Sequence, residues 1–496
     1  MPRRTLLALA AAASVVAPLT AYATSTSSSA TPTSPLALAQ KTAQDLGTTL
    51  VPDGTPLSSD NVSLVTTIPG TFAGIRIAGK KAFATGWDGI TEFDISDPAQ
   101  PAPAAFLPLP HFENEDVDSD GRIVLVSNDR ESKSRGGFLY VIDARTPNVL
   151  KPLAVLSLND LGSDLRGPGH IASCVGGTSG CTWAWLAGGR KFWVVDLRDP
   201  ANPKLVRGFD TPVSTGSTDF GGKGKKFLGA THDVERDAAG RLWVTGSGGM
   251  AVYDVSRDPA HPRMLSYTGK AGIDEKNNQF ILHNSVHPDA AAYRPHTGAR
   301  RTGDTLLMTE ENYTDTNTDD AQPVPGMCNE QGKFETWDVR NYSKGRQPSV
   351  IDKWTTEVSG APYLSDNHAP VTVFCSSHWF KERKGIVADG WYEQGTRFLD
   401  VRDPAHIRQV GYWAPPNAVT WAAYWVTDDI VYTADIGRGL DVLRITRPKA
   451  GTSAPTVAAP IRASWLGAAP NRTAVLMRES RRWHWACAIP AFDHVG

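Results

Sequence analysis

Four histidines, His170, His232, His283 and His368, stand at equivalent places in four successive units of a repeat, each at the start of a short strand. Neutral imidazoles grouped with a carboxylate suit zinc, copper, iron or nickel, because each ring offers a lone pair without a thiolate. Glu310 is the carboxylate placed with them, and Glu115 and Asp116 stand near the matching position of the preceding unit. The same rings could instead hydrogen-bond neighbouring units and seal a channel, since repeats copy structural roles as readily as functional ones. His287 follows His283 by four residues, but on a strand that separation spans about 13 Å, so both cannot ligate one ion. His378 falls ten residues after His368 and is expected at the opposite face.

A second group belongs to loops expected on the same face as the histidines. Trp87, Asp88, Arg190, Trp391, Glu393 and Arg438 are candidates for touching a small molecule, peptide or protein. Glu310 and Glu311 point to opposite sides of an extended strand, which disfavours a paired-carboxylate hydrolase. No Gly-x-Ser-x-Gly elbow, Walker loop or dinucleotide fingerprint precedes a helix, and Gly246-Ser247-Gly248-Gly249 joins two strands.

The elements that must position these residues are set by a repeated aspartate after an apolar or aromatic run: Asp94, Asp143, Asp196, Asp254, Asp338, Asp400 and Asp441. Full copies read Glu92-Phe93-Asp94-Ile95-Ser96-Asp97-Pro98 and Phe398-Leu399-Asp400-Val401-Arg402-Asp403-Pro404. β-branched and aromatic residues suit a half-buried pleated strand, and Asp-Pro suits a tight corner. The aspartates are therefore expected to serve turns, and Trp183, Trp185, Trp193, Trp243 and Trp337 to pack between units. Four strands per unit, at mostly 40- to 60-residue spacing, predict an all-β, seven-bladed propeller of four-stranded antiparallel blades. The seventh unit lacks a last strand after Asp441, and the run from Val62 to Ile68 is the spare that closes the ring.

The ends read differently. Arg3 and Arg4, an apolar run and Ala21-Tyr22-Ala23 resemble a cleavable export signal over residues 1–23. Residues 24–61 read as a linker, 62–446 as the propeller, and 447–496 as a low-complexity, disordered tail. No later apolar run reaches the roughly 18 residues that a membrane span needs, so a secreted protein is expected. A formal net charge of -2 gives no sign of a nucleic-acid partner. In an oxidising compartment Cys174 and Cys181 are expected to form a disulfide, while the pairing of Cys328, Cys375 and Cys487 stays open.

The units resemble those of LVIVD-repeat proteins, exported β-propellers, over about residues 62 to 446. That resemblance implies the fold and export, and no particular reaction. Selenium-binding-protein-like copper oxidases, propellers with histidine clusters at the channel, are similar in outline, without a shared extended motif. Two functions follow as expectations: a ligand- or partner-binding module with a copper or zinc site at the channel, or a metal-dependent enzyme, an oxidoreductase sooner than a hydrolase.

Overall fold

The computed structural model describes residues 35–109, 116–128, 137–158, 169–176, 180–214, 230–269, 281–311, 332–358, 376–449, 451–452 and 455–466. Seven antiparallel sheets form the blades of a propeller. Their innermost strands are Ile75–Ala78, Val117–Ser119, Ile171–Cys174, Thr231–Arg236, Ile281–Val286, Phe380–Arg383 and Thr420–Trp425, in blades 1 to 7. Three further strands follow outward in each of blades 1 to 6, ending for instance in Ala102–Pro108 and Arg263–Tyr267. In most blades the middle strands are buried on both faces, whereas every residue of the outer strand Ala102–Pro108 is exposed or half-buried. Apolar burial between successive sheets thus holds the ring.

Blade 7 is completed by Val62–Pro69, which pairs antiparallel with Gly439–Ile445 from Val62 opposite Ile445 to Pro69 opposite Gly439. The expected closure is present, and its local chemistry explains why it forms here. Thr67 donates its hydroxyl to Asp441 at 2.6 Å, and Trp413 Nε1 donates to the other oxygen of the same carboxylate at 2.9 Å. Gly439 has φ +133°, and a Cβ there would lie 2.1 Å from the carbonyl oxygen of Ile68. Only glycine tolerates both the conformation and the approach.

The repeated aspartates cap turns, as expected. Asp94, Asp143, Asp196, Asp254, Asp338 and Asp400 each accept the amide of the residue two positions on, at 2.8 to 3.1 Å. Arginines at that position in several blades return a side-chain ion pair, as Arg402 does to Asp400 at 2.5 Å. The Asp-Pro corner also links blades: Trp185 Nε1 donates to Pro259 O, and Tyr432 Oη to Pro98 O, at 3.0 and 2.8 Å. Trp185, Trp243 and Trp337 are fully buried, while Trp183 and Trp193 are partly exposed.

Segments expected to lack structure carry some. Pro35–Asp45 is a helix, and Leu57–Ser58 adds a fifth strand to the outer edge of blade 6. Leu50–Val51 pairs in parallel with Ile461–Arg462. Ala39, Leu57, Tyr412, Ile461, Trp465 and Leu466 share one apolar cluster. Neither segment is long enough to show a clear period, and each finds its partner only across the chain. Residues 1–34 and 467–496, with the expected export signal and most of the tail, lie outside the described residues.

The closing carboxylate and a turn carboxylate should respond differently to removal. Asp441→Ala leaves the buried indole of Trp413 and the half-buried hydroxyl of Thr67 without their acceptor and is expected to lower unfolding stability by about 2–3 kcal/mol. Asp94→Ala, at an exposed turn, is expected to cost about 1 kcal/mol or less. Urea unfolding followed by tryptophan fluorescence measures both, and equal losses would contradict the special role of Asp441.

Candidate metal centre at the hub

The histidines owe their position to a repeated defect in the inner strand. In blade 4, Thr231 pairs with Gly246 and Val234 with Val244, so that His232 and Asp233 together oppose Thr245. In blade 5, Leu282 pairs with Glu310 and Ser285 with Met308, so that His283 and Asn284 oppose Thr309. Such bulges re-aim a side chain. Each opposing threonine accepts the bulge amide, Asp233 N at 3.2 Å and Asn284 N at 3.1 Å.

The same hydroxyls reach onward to the next blade. Thr245 donates to the carbonyl of His283, Thr309 to that of His378 at 2.8 Å, and Ser127 to that of His170 at 2.9 Å. A row of hydroxyl-to-carbonyl bonds therefore sets the histidine backbones of blades 3, 5 and 6 around the hub.

The rings meet. His170 and His232 place their Nε2 atoms 3.0 Å apart, so one carries the proton and the other accepts it. Ring centroids lie 3.9 Å apart for His232 and His283, and 4.1 Å apart for His283 and His378. Glu311, at the end of Thr305–Glu311, faces His283 Nε2 at 3.7 Å and His378 Nε2 at 3.8 Å. His378 donates from Nδ1 to the carbonyl of Trp421 at 2.6 Å, which turns Nε2 to the Glu311 side. Tyr392, held at φ +33°, donates its hydroxyl to Glu311.

His170, His232, His283, Glu311 and His378 are all buried. Burial pushes the His283 imidazole well below its ordinary pKa, with the neighbouring His232, His378 and His170 adding to the shift. A neutral ring at physiological pH is what a metal ligand requires. The ligand atoms of His232, His283 and Glu311 lie within 4.8 Å of one another. Two ligands on one ion at bonds of about 2.0–2.2 Å sit at most about 4.4 Å apart, so a small contraction of this trio would close on a cation.

His170, His232 and His283 are thus brought together, while His368 lies outside the described residues. The blade 6 ring in the cluster is His378, contrary to its expected place at the opposite face. A usable signal was present: His232 and His378 each precede the repeat aspartate of their blade, Asp254 and Asp400, by 22 residues. Glu310 faces away from the cluster toward Lys333 at 3.4 Å, and Glu311 takes the position expected of it. Strand alternation had separated the two glutamates but not chosen between them. Tyr392 was missed because only its unusual turn aims it inward. His287 joins Asp237 at 2.9 Å and Gly303 O at 2.7 Å, a structural setting away from the rings.

The face-loop candidates divide. Asp88 and Arg190 are exposed and Trp87 is half-buried. Trp391 is 1% exposed and packs edge-on against Trp354 at 5.0 Å, in the seam of blades 5 and 6, so it is core and not a ligand contact. Glu393 is buried, and Arg438 is half-buried beside Asp441 at 3.2 Å. The Cys174–Cys181 disulfide is present; Cys328, Cys375 and Cys487 lie outside the described residues.

Among solved structures, the chain is similar to the β-propeller domain of Cps50 (Swd1) from Myceliophteria thermophila, with 13% identity, a TM-score of 0.49, and coverage of 78% of this chain and 100% of that one. It is also similar to the WD40 propeller of Doa1 at 8% identity and TM-score 0.46, covering 79% and 99%, and to the WD40 repeats of RRP9 at 9% and 0.46, also covering 79% and 99%. No protein-family model and no curated protein matches the chain.

A buried carboxylate in the third strand of blade 5 gives a test of that blade. Burial, and next the charge of Glu310, push Glu335 up to about 8, while Trp337 Nε1 donates to it at 2.8 Å. The folded state then binds a proton that the unfolded chain releases near its ordinary value, so this group's contribution falls as pH rises from about 4.5 to 8. Glu335→Gln is expected to flatten that slope, gaining stability over the wild type as pH rises through this window. Denaturant midpoints at pH 5 and 8 check it; a constant difference between the two proteins would refute the assignment.

Proposed function

We propose that the protein is a secreted, LVIVD-type propeller that acts as a ligand- or partner-binding module and holds one transition-metal ion, copper or zinc, at its hub. The observation carrying this reading is the buried trio His232, His283 and Glu311, with His170 and His378 against it. Its donor set, imidazole and carboxylate without thiolate, suits these ions. The backbone carbonyl that fixes the His378 tautomer is the kind of outer contact that orients a metal-bound imidazole. Export is supported by the disulfide, which forms in oxidising compartments. Among the described residues no helix is long and apolar enough to cross a membrane.

One feature favours a second reading, a metal-dependent oxidoreductase. Glu311 is shared between the hydroxyl of Tyr392 and two imidazoles, so a proton could pass at that carboxylate beside a bound redox ion. Copper rather than zinc in the purified protein would favour it.

Elemental analysis of protein purified without chelators decides between an occupied and an empty hub. About one equivalent of copper or zinc is expected in the wild type, falling below about a tenth in the His232→Ala/His283→Ala double variant. Circular dichroism should stay unchanged. Failure of the wild type to retain either ion after loading would overturn the metal reading and leave the binding module.

A further inference from the structure

Beyond the imidazoles, toward the other end of the inner strands, the hub opens into a cavity of about 200 Å³. Its walls carry Asp116, Asp118, Asp120, Asp233 and Glu235 against three bases, Arg76, Arg236 and Lys381. Two of the bases are committed: Arg76 Nε pairs with Asp118 at 2.9 Å, and Lys381 with Glu235 at 2.9 Å. Carboxylates thus outnumber bases five to three in the lining, and a cleft with a surplus of one sign of charge concentrates the opposite ion.

The cavity touches the cluster through the chain itself. Asp233 and Trp379, both in its wall, are the residues that follow His232 and His378. The Trp379 indole also meets the His283 ring edge-on at 5.7 Å, and Asp233 accepts a hydrogen bond from Asn284, the neighbour of His283, at 3.1 Å. Trp379 is 7% exposed, and its buried Nε1 has no acceptor among the described residues. A donor in that position calls for water or another oxygen, and the space is polar and large enough to hold it. The rim is held by the disulfide: Cys174 N donates to Asp118 at 2.7 Å and Cys181 N to Asp120 at 2.9 Å.

We propose that this cavity is a hydrated, acid-lined vestibule through which a divalent cation reaches the hub imidazoles. The inference rests on the metal reading given under the proposed function, and a buried site of that kind needs an entry path. The half-buried Glu235, paired with Lys381, stands in the wall so that its loss leaves an uncompensated positive charge facing an entering cation, and the indole of Trp379 lies between this space and the His283 ring.

The test is the rate at which chelator-stripped protein takes up Zn²⁺, followed by release of the ion from a chromophoric chelator. Glu235→Gln is expected to slow uptake about threefold and Glu235→Lys about tenfold or more, with final stoichiometry unchanged. Asp210→Asn, an exposed carboxylate on the outer strand of blade 3, serves as the control and should match the wild type. Unchanged rates in both Glu235 variants, with one Zn²⁺ still bound, would overturn the vestibule alone. A wild type that takes up no ion would overturn the hub reading and the vestibule with it.

Discussion

Closure of the ring is the constraint on which every other placement rests. An open row of seven sheets would expose an unpaired strand at each end and leave the inner strands free to spread. Pairing of Val62–Pro69 with Gly439–Ile445 joins the start of the propeller to its last blade, so each inner strand is held from both sides. Two details make the join specific: a glycine where the strands come too close for any side chain, and a buried carboxylate that collects donors from Thr67 and Trp413. With the circumference fixed, the bonds from Ser127, Thr245 and Thr309 to the next blade's histidine carbonyl carry that fixed spacing into the hub.

A hub built this way is unusually polar for its burial. Four imidazoles, Glu311 and the cavity carboxylates share a space that could have been filled with apolar side chains, and unpaired buried polar groups are costly. The contacts between them are partly self-satisfying, as with His170 and His232, and partly supplied by the backbone, as with His378 and Trp421. Burial holds the His283 imidazole in its neutral form.

The architecture could be read from the sequence because the aspartate turn is a local signal repeated seven times, and a missing strand at one end matched a spare at the other. Most of the histidine set followed from the same count. The exceptions have physical causes. His368 and His378 compete for the start of blade 6, and the 22-residue count back from the repeat aspartate, together with the register set by Thr309, marks His378 as the ring. Trp391 looked like a loop residue because glycines surround it, yet the turn folds back and buries it against Trp354. The helix Pro35–Asp45 and the strand Ile461–Arg462 were hidden because their stability comes from contacts between distant parts of the chain, which no window of sequence contains.

Blade 1 separates the structural role of the bulge from that of the imidazoles. There Thr85 accepts the amide of Gly74 at 3.1 Å, just as Thr245 and Thr309 accept those of Asp233 and Asn284. The residue standing where His232 and His283 stand is Ala73. The threonine-capped backbone device therefore works without a ring in that position, and sealing the hub does not by itself call for histidine. The rings also come from consecutive blades, 3 to 6, and so gather on one side of the axis, where Glu311 and Tyr392 meet them. A seal would be served as well by any bulky side chain spread around all seven blades. On that side His283 and His378 turn their Nε2 atoms toward the one carboxylate of Glu311, while His170 and His232 turn theirs toward each other.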